Sequence, residues 1–83
     1  MAKFRDEAIG KICGRLCQVF GKQPEEITEN TNIFTDLGAK STQVSQLANY
    51  LEDEYDVQIA FVKLRKCETV KDIADYLEDL CDY

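Results

Sequence analysis

Apolar residues recur along this chain at helical spacing and nowhere at strand spacing. Between Phe4 and Phe20 they fall at Phe4, Ala8, Ile9, Ile12, Cys13, Leu16, Val19 and Phe20, the three-and-four repeat that lays one apolar stripe along a helix. Val44, Leu47, Ala48, Leu51 and Tyr55 repeat the pattern, as do Val70, Ile73, Ala74, Leu77, Leu80 and Cys81. No segment alternates with period two, and no Asn-Gly or Asp-Gly pair joins two strand-like runs, so a sheet is not expected. With 83 residues, 45% of them hydrophobic, the stripes must share one small core, in a single domain over residues 1–83.

Punctuation sets the element boundaries. Helix one runs to Phe20, with Gly21 placed as a C-cap and Gln23-Pro24 preventing continuation. Residues 22–40 read as a long loop, with turn chemistry at Asn30, Thr31, Asn32, Asp36 and Gly38 and apolar anchors at Ile27, Ile33, Phe34 and Leu37. Helix two is expected over 41–55, capped by Ser41 or Thr42. Asp56-Val57-Gln58-Ile59 reads as extended, Phe61 to Lys66 as one short helical turn, and Thr69 as the cap of a last helix. The expected fold is all-α, a small four-helix bundle of three main helices and one short one. So long a loop in so small a domain usually carries function.

Charge and residue inventory exclude most activities. Sixteen acidic residues against ten basic give a net charge of −6, which repels a phosphate backbone and argues against a nucleic-acid partner. The longest uncharged stretch, residues 41–51, is broken by Ser, Thr, Gln and Asn and falls short of the roughly 20 apolar residues of a membrane helix. Met1 is followed directly by alternating charges, so no signal peptide and a cytoplasmic location are expected. In that reducing compartment Cys13, Cys17, Cys67 and Cys81 are expected as free thiols. A zinc set lacks both a CxxC pair and any histidine, and no metal is expected. The missing histidine also removes Ser-His and Cys-His nucleophile pairs. Lys40-Ser41-Thr42 lacks the P-loop glycines, having Ala39 and Phe34 in their places. The acidic runs Glu25-Glu26 and Glu52-Asp53-Glu54 match no EF-hand spacing and read as solvated helix ends. No catalytic residue stands out, and the chain is not expected to be an enzyme.

What is left is Ser41, a hydroxyl after a glycine-containing turn at the start of a helix, which on composition alone reads as a plain cap. Its surroundings carry a resemblance. Asp36-Leu37-Gly38-Ala39-Lys40-Ser41 resembles the Asp-Leu-Gly-x-Asp-Ser signature of acyl carrier proteins, and Leu51-Glu52-Asp53-Glu54-Tyr55-Asp56-Val57-Gln58-Ile59 resembles that family's Leu-Glu-Glu-Glu-Phe-x-x-x-Ile. Loop length, helix order and acidic character agree, over roughly residues 4–80. The resemblance implies that Ser41 receives 4'-phosphopantetheine from coenzyme A through a separate phosphopantetheinyl transferase, in a setting made by Asp36, Leu37, Gly38 and Lys40. It implies a terminal thiol that holds acyl groups as thioesters, and partners that load, extend or transfer the acyl group while docking near helix two. By the same analogy Phe34, Val44, Leu47, Leu51, Ile59, Leu64 and Ile73 are candidates for lining an acyl chain, each equally expected as ordinary core. A monomer suffices for all of this.

Two departures stand at the motif. The residue before the serine is usually Asp in the family and is Lys40 here; the residue after it is usually a large aliphatic and is Thr42 here. Residues 40–51 carry +1 and residues 57–67 carry +3, through Lys63, Arg65 and Lys66, so the family's acidic docking face is locally missing. A dedicated carrier for specialised lipid, cell-envelope or polyketide groups is expected, since complementary potentials set partner choice. A direct contact of Lys40 with the phosphate is a rival account of the first departure. A peptidyl or aminoacyl carrier, or an unmodified helical adaptor with the same fold, are the alternatives.

Overall fold

The computed structural model of the protein describes residues 2–81. Four α-helices follow one another: α1 Ala2–Phe20, α2 Ser41–Tyr55, α3 Phe61–Arg65 and α4 Val70–Cys81. The expected all-α bundle of three longer helices and one short one is the architecture found. Among the described residues β structure is limited to an isolated antiparallel bridge between Asn32 and Thr69. No helix among them is long and apolar enough to cross a membrane.

Local chemistry accounts for the helix ends. Gly21 takes the left-handed conformation at φ 64°, and the Lys22 N–H donates back to the Cys17 carbonyl at 3.0 Å, closing α1 with a Schellman bond. Thr69 opens α4 with a reciprocal pair: its hydroxyl accepts the Asp72 N–H at 3.2 Å, and the Asp72 carboxylate accepts the Thr69 N–H at 3.4 Å.

The long helices bury one stripe each. Ala8, Ile12 and Leu16 of α1, Val44, Leu47, Ala48 and Leu51 of α2, and Val70, Ile73, Ala74 and Leu77 of α4 meet in one cluster, joined by Leu64 of α3. Helix α1 packs on α4 and α2, and α3 packs on α2. Burying each large aliphatic side chain here contributes about 1.5–3 kcal/mol, the main force holding the bundle. Surface ion pairs add little, being screened by solvent; Arg5 with Asp75, and Lys11 with Glu54 at 3.0 Å, tie α1 to α4 and α2.

Five details differ from the sequence expectation. Helix α1 begins at Ala2 and not at Phe4, because the hydrogen-bond ladder does not wait for an apolar residue. The α1–α2 loop contains a 3-10 turn, Pro24–Glu26, since the proline that stops one helix has the φ suited to the first position of another. The short helix α3 ends at Arg65, with Lys66 as its C-cap. Asp56 is not extended but left-handed, at φ 53°, which ends α2 without a glycine. Leu80 is not on the inner face: it is 37% exposed, lying where the last turn of α4 borders surface grooves beside Tyr76 and Val57.

The long loop is pinned to the core and to α4. Ile27 and Ile33 are buried in the core. The Ile33 N–H donates to the Glu68 carbonyl at 2.8 Å, while the Thr31 and Glu29 carbonyls accept from Val70 N–H at 3.3 Å and Lys71 N–H at 2.9 Å. Those two donors belong to the first turn of α4 and have no partner inside the helix, so loop and helix satisfy one another.

Candidate functional site

The stretch before α2 is shaped by its own polar groups. The Asn32 side-chain oxygen accepts the N–H groups of Phe34 at 2.9 Å and Thr35 at 3.0 Å, an Asx turn. The Asp36 carboxylate accepts the Asn32 N–H at 2.9 Å, and the Ala39 N–H donates to the Ile33 carbonyl at 2.8 Å. Leu37 and Ala39 are half-buried and pack on the core, and Gly38 supplies a left-handed φ of 68° that a side chain would strain. Asp36, Leu37 and Gly38 thus build the loop, while Lys40 and Ser41 stand exposed where it becomes a helix.

Lys40, not Ser41 or Thr42, is the N-cap of α2. Its backbone is extended at φ −112° and ψ 173°, and its carbonyl accepts the Val44 N–H at 3.0 Å. Ser41 is the first helical residue, one position past the cap, and at this end of α2 the Lys40 side chain makes no capping bond. Gln43 supplies half of a capping box, its side-chain oxygen accepting the Lys40 N–H at 2.7 Å. The reciprocal half is missing, because a lysine side chain has no acceptor. The N–H groups of Ser41, Thr42 and Gln43 are left without intrahelical partners.

This arrangement suits a covalent anion. Among the described residues no hydrogen bond engages the Ser41 hydroxyl, which is exposed. No carboxylate lies in the first turn of α2, and the open N–H groups, the helix dipole and the Lys40 ammonium all favour negative charge there. Were a 4'-phosphopantetheine group joined here through a phosphodiester, the first-turn N–H groups and Lys40 would be the groups placed to hold its phosphate. The chain has no histidine, and among the described residues no acid or base is hydrogen-bonded to the Ser41 hydroxyl.

Of the residues named from sequence as an acyl lining, Val44, Leu47, Leu51, Leu64 and Ile73 are fully buried, and Ile59 is nearly so. They fill the interior between α2, α3 and α4. Phe34 is only half-buried; it borders a surface groove with Thr35, Arg65 and Lys66. Asn32, expected as a turn residue, does shape the approach to the site, whereas Gln43 was not expected to build it. The signal for Gln43, a Gln at the third helical position, depended on Lys40 being the cap.

Comparison with known proteins agrees with this geometry. The family model described as the phosphopantetheine attachment site matches residues 10–77. An acyl carrier protein from Syntrophobacter fumaroxidans is 40% identical over 67 residues, covering 81% of this chain and 83% of the relative. One from Zymomonas mobilis is 34% identical over 73 residues, covering 88% and 90%. The solved acyl carrier protein from Enterococcus faecalis superposes with a TM-score of 0.76 at 30% identity, covering 92% of this chain and 96% of that one. The HMG-ACPI domain of the CurA module from Lyngbya majuscula shares the fold, with a TM-score of 0.79 at 20% identity over 94% of this chain and 79% of that one.

Proposed function

Because this chain belongs to the acyl carrier protein family, whose members are non-catalytic carriers of a covalent 4'-phosphopantetheine, we propose that Ser41 is its attachment residue and that it serves a dedicated pathway. The observation that supports Ser41 is its place: an exposed hydroxyl on the first residue of α2, engaged by no cap, at an end of the helix that favours a phosphate. When attached, the group supplies a thiol that carries acyl groups as thioesters. The protein's own part is to present that anchor on a rigid loop, hold the phosphate at the helix end and offer surfaces to enzymes. A phosphopantetheinyl transferase acts first, followed by acyl-loading, synthase and acyltransferase enzymes docking near α2. Residues 1–83 act as one carrier domain and as a monomer, and the cytoplasm suits its four free cysteines.

A specialised lipid, cell-envelope or polyketide cargo is favoured by local charge. The exposed side of α2 offers Thr42, Ser45, Gln46 and Asn49 and no carboxylate before Glu52, so enzymes that recognise an acidic helix have little to hold. Intact mass tests attachment: incubation with coenzyme A and a promiscuous transferase adds one phosphopantetheine to the wild type and nothing to Ser41→Ala. No adduct, under conditions that load a typical carrier, would favour the unmodified adaptor. Loading and elongation by generic fatty-acid synthase enzymes at the rate of an acidic carrier would remove the argument for a dedicated pathway.

A further inference from the structure

The chain is acidic overall, yet its shortest helix is basic. Helix α3 and its C-cap carry Lys63, Arg65 and Lys66 with no carboxylate among them. Val62, Arg65 and Lys66 lie three and four residues apart and so share one face of this helix, and together they line a shallow depression. Among the described residues Val62, at 66% exposed, is the most exposed large apolar side chain. The Arg65 guanidinium lies 5.9 Å from the centre of the Phe61 ring, which limits its freedom before any partner arrives. Among the described residues Arg5 and Lys11 enter ion pairs, whereas none of the three α3 cations does. Arg65 and Lys66 also border the groove walled by Phe34 and Thr35, in the loop that leads to Ser41, and by Glu68, whose carboxylate accepts from the Asn32 amide at 3.5 Å.

We propose that this face of α3, centred on Val62, Arg65 and Lys66, docks an acidic protein partner that presents carboxylates around a small apolar contact. Unpaired cations around one exposed valine offer charge for steering and an apolar centre for a dry contact. A protein fits better than a lipid surface: one helical turn with one exposed aliphatic gives little to insert into a bilayer. At physiological salt the field extends about 8 Å, so distant carboxylates are screened from the patch, and Glu68 is the acidic neighbour on its groove. The inference rests on the carrier reading for what the partner does, but not for where it binds.

Titrating the isotope-labelled protein with an acetylated peptide of repeated Glu-Glu-Leu-Glu tests this, followed by NMR of the backbone amides in both wild type and Ser41→Ala. Amides of residues 61–68 are expected to shift in both, and affinity to fall about tenfold between about 50 and 300 mM NaCl. Arg65→Glu/Lys66→Glu should abolish those shifts, Val62→Ser should weaken them, and Lys22→Glu should leave them unchanged, with all variants giving native amide dispersion. No α3 shift at millimolar peptide, or unchanged binding by the double variant, would overturn the proposal. Binding to phosphatidylglycerol vesicles through Arg65 and Lys66, without peptide binding, would replace it with a membrane role. Mass analysis of Ser41 modification is separate, so failure of attachment and failure of docking read out independently.

Discussion

Asn32 and Asp36 are bonded to each other twice, the Asp36 carboxylate accepting the Asn32 N–H and the Asn32 carbonyl accepting the Asp36 N–H, both at 2.9 Å. This clasp turns the chain from its docking on α4 toward the start of α2. The Asn32 side chain holds two further N–H groups of the same turn. Asn32→Ala should lower stability by about 1–2 kcal/mol through the lost acceptor, while Asn32→Asp, which keeps an oxygen in place, should lose less. Urea unfolding followed by circular dichroism measures both.

Gly38 sits at φ 68°, and a Cβ there would meet no atom within 4 Å. The cost of Gly38→Ala is therefore backbone strain alone, about 1 kcal/mol after the gain from a stiffer unfolded chain. A larger loss in the same unfolding measurement would show that the space around Gly38 is tighter than the geometry describes.

Lys40 caps α2 with a cation at the positive end of the dipole and with no acceptor to offer. Lys40→Asp should raise stability by about 1 kcal/mol, since a carboxylate there accepts a first-turn N–H and reverses the charge. Part of the gain should fade in high salt. Ser41→Ala, at the first helical position, should change stability by less than about 0.5 kcal/mol, the usual range for a surface site, and not by the worth of a cap.

Burial, helped by the nearby carboxylates of Asp72 and Asp75, raises the pKa of the Cys67 thiol. Cys13 is raised too, first by burial and then by Cys17 and Glu29. The native thiols keep protons that the unfolded chain releases above the ordinary thiol range of about 8.5. Stability should therefore fall as pH rises through that range toward the native values. Native protein should react slowly with iodoacetamide at Cys67, and urea should speed the reaction many-fold.

Much of this is legible in the residues because helix formation here is governed by spacing. Val44, Leu47 and Leu51 can share a face only on a helix, and the pattern places α2 over 41–55 as found. Thr69 and Asp72 are likewise readable as a cap, because both partners lie within one turn. Ser41 was legible as a candidate through the motif around it. Its freedom from capping was not, since Ser at N-cap and Ser one residue later look alike in sequence and differ only in the backbone angles of Lys40.

The helices, the stripe each buries and the hydroxyl at the start of the second were readable from the residues alone, since these follow from contacts within a few residues. Packing settled how residues 22–40 are held, because the partners of Ile33, Thr31 and Glu29 lie at Glu68, Val70 and Lys71, far along the chain. It also placed Arg65 and Lys66 beside Phe34 and Thr35, and turned Leu80 outward. Such pairings depend on how the stripes pack against one another, and no local periodicity encodes that.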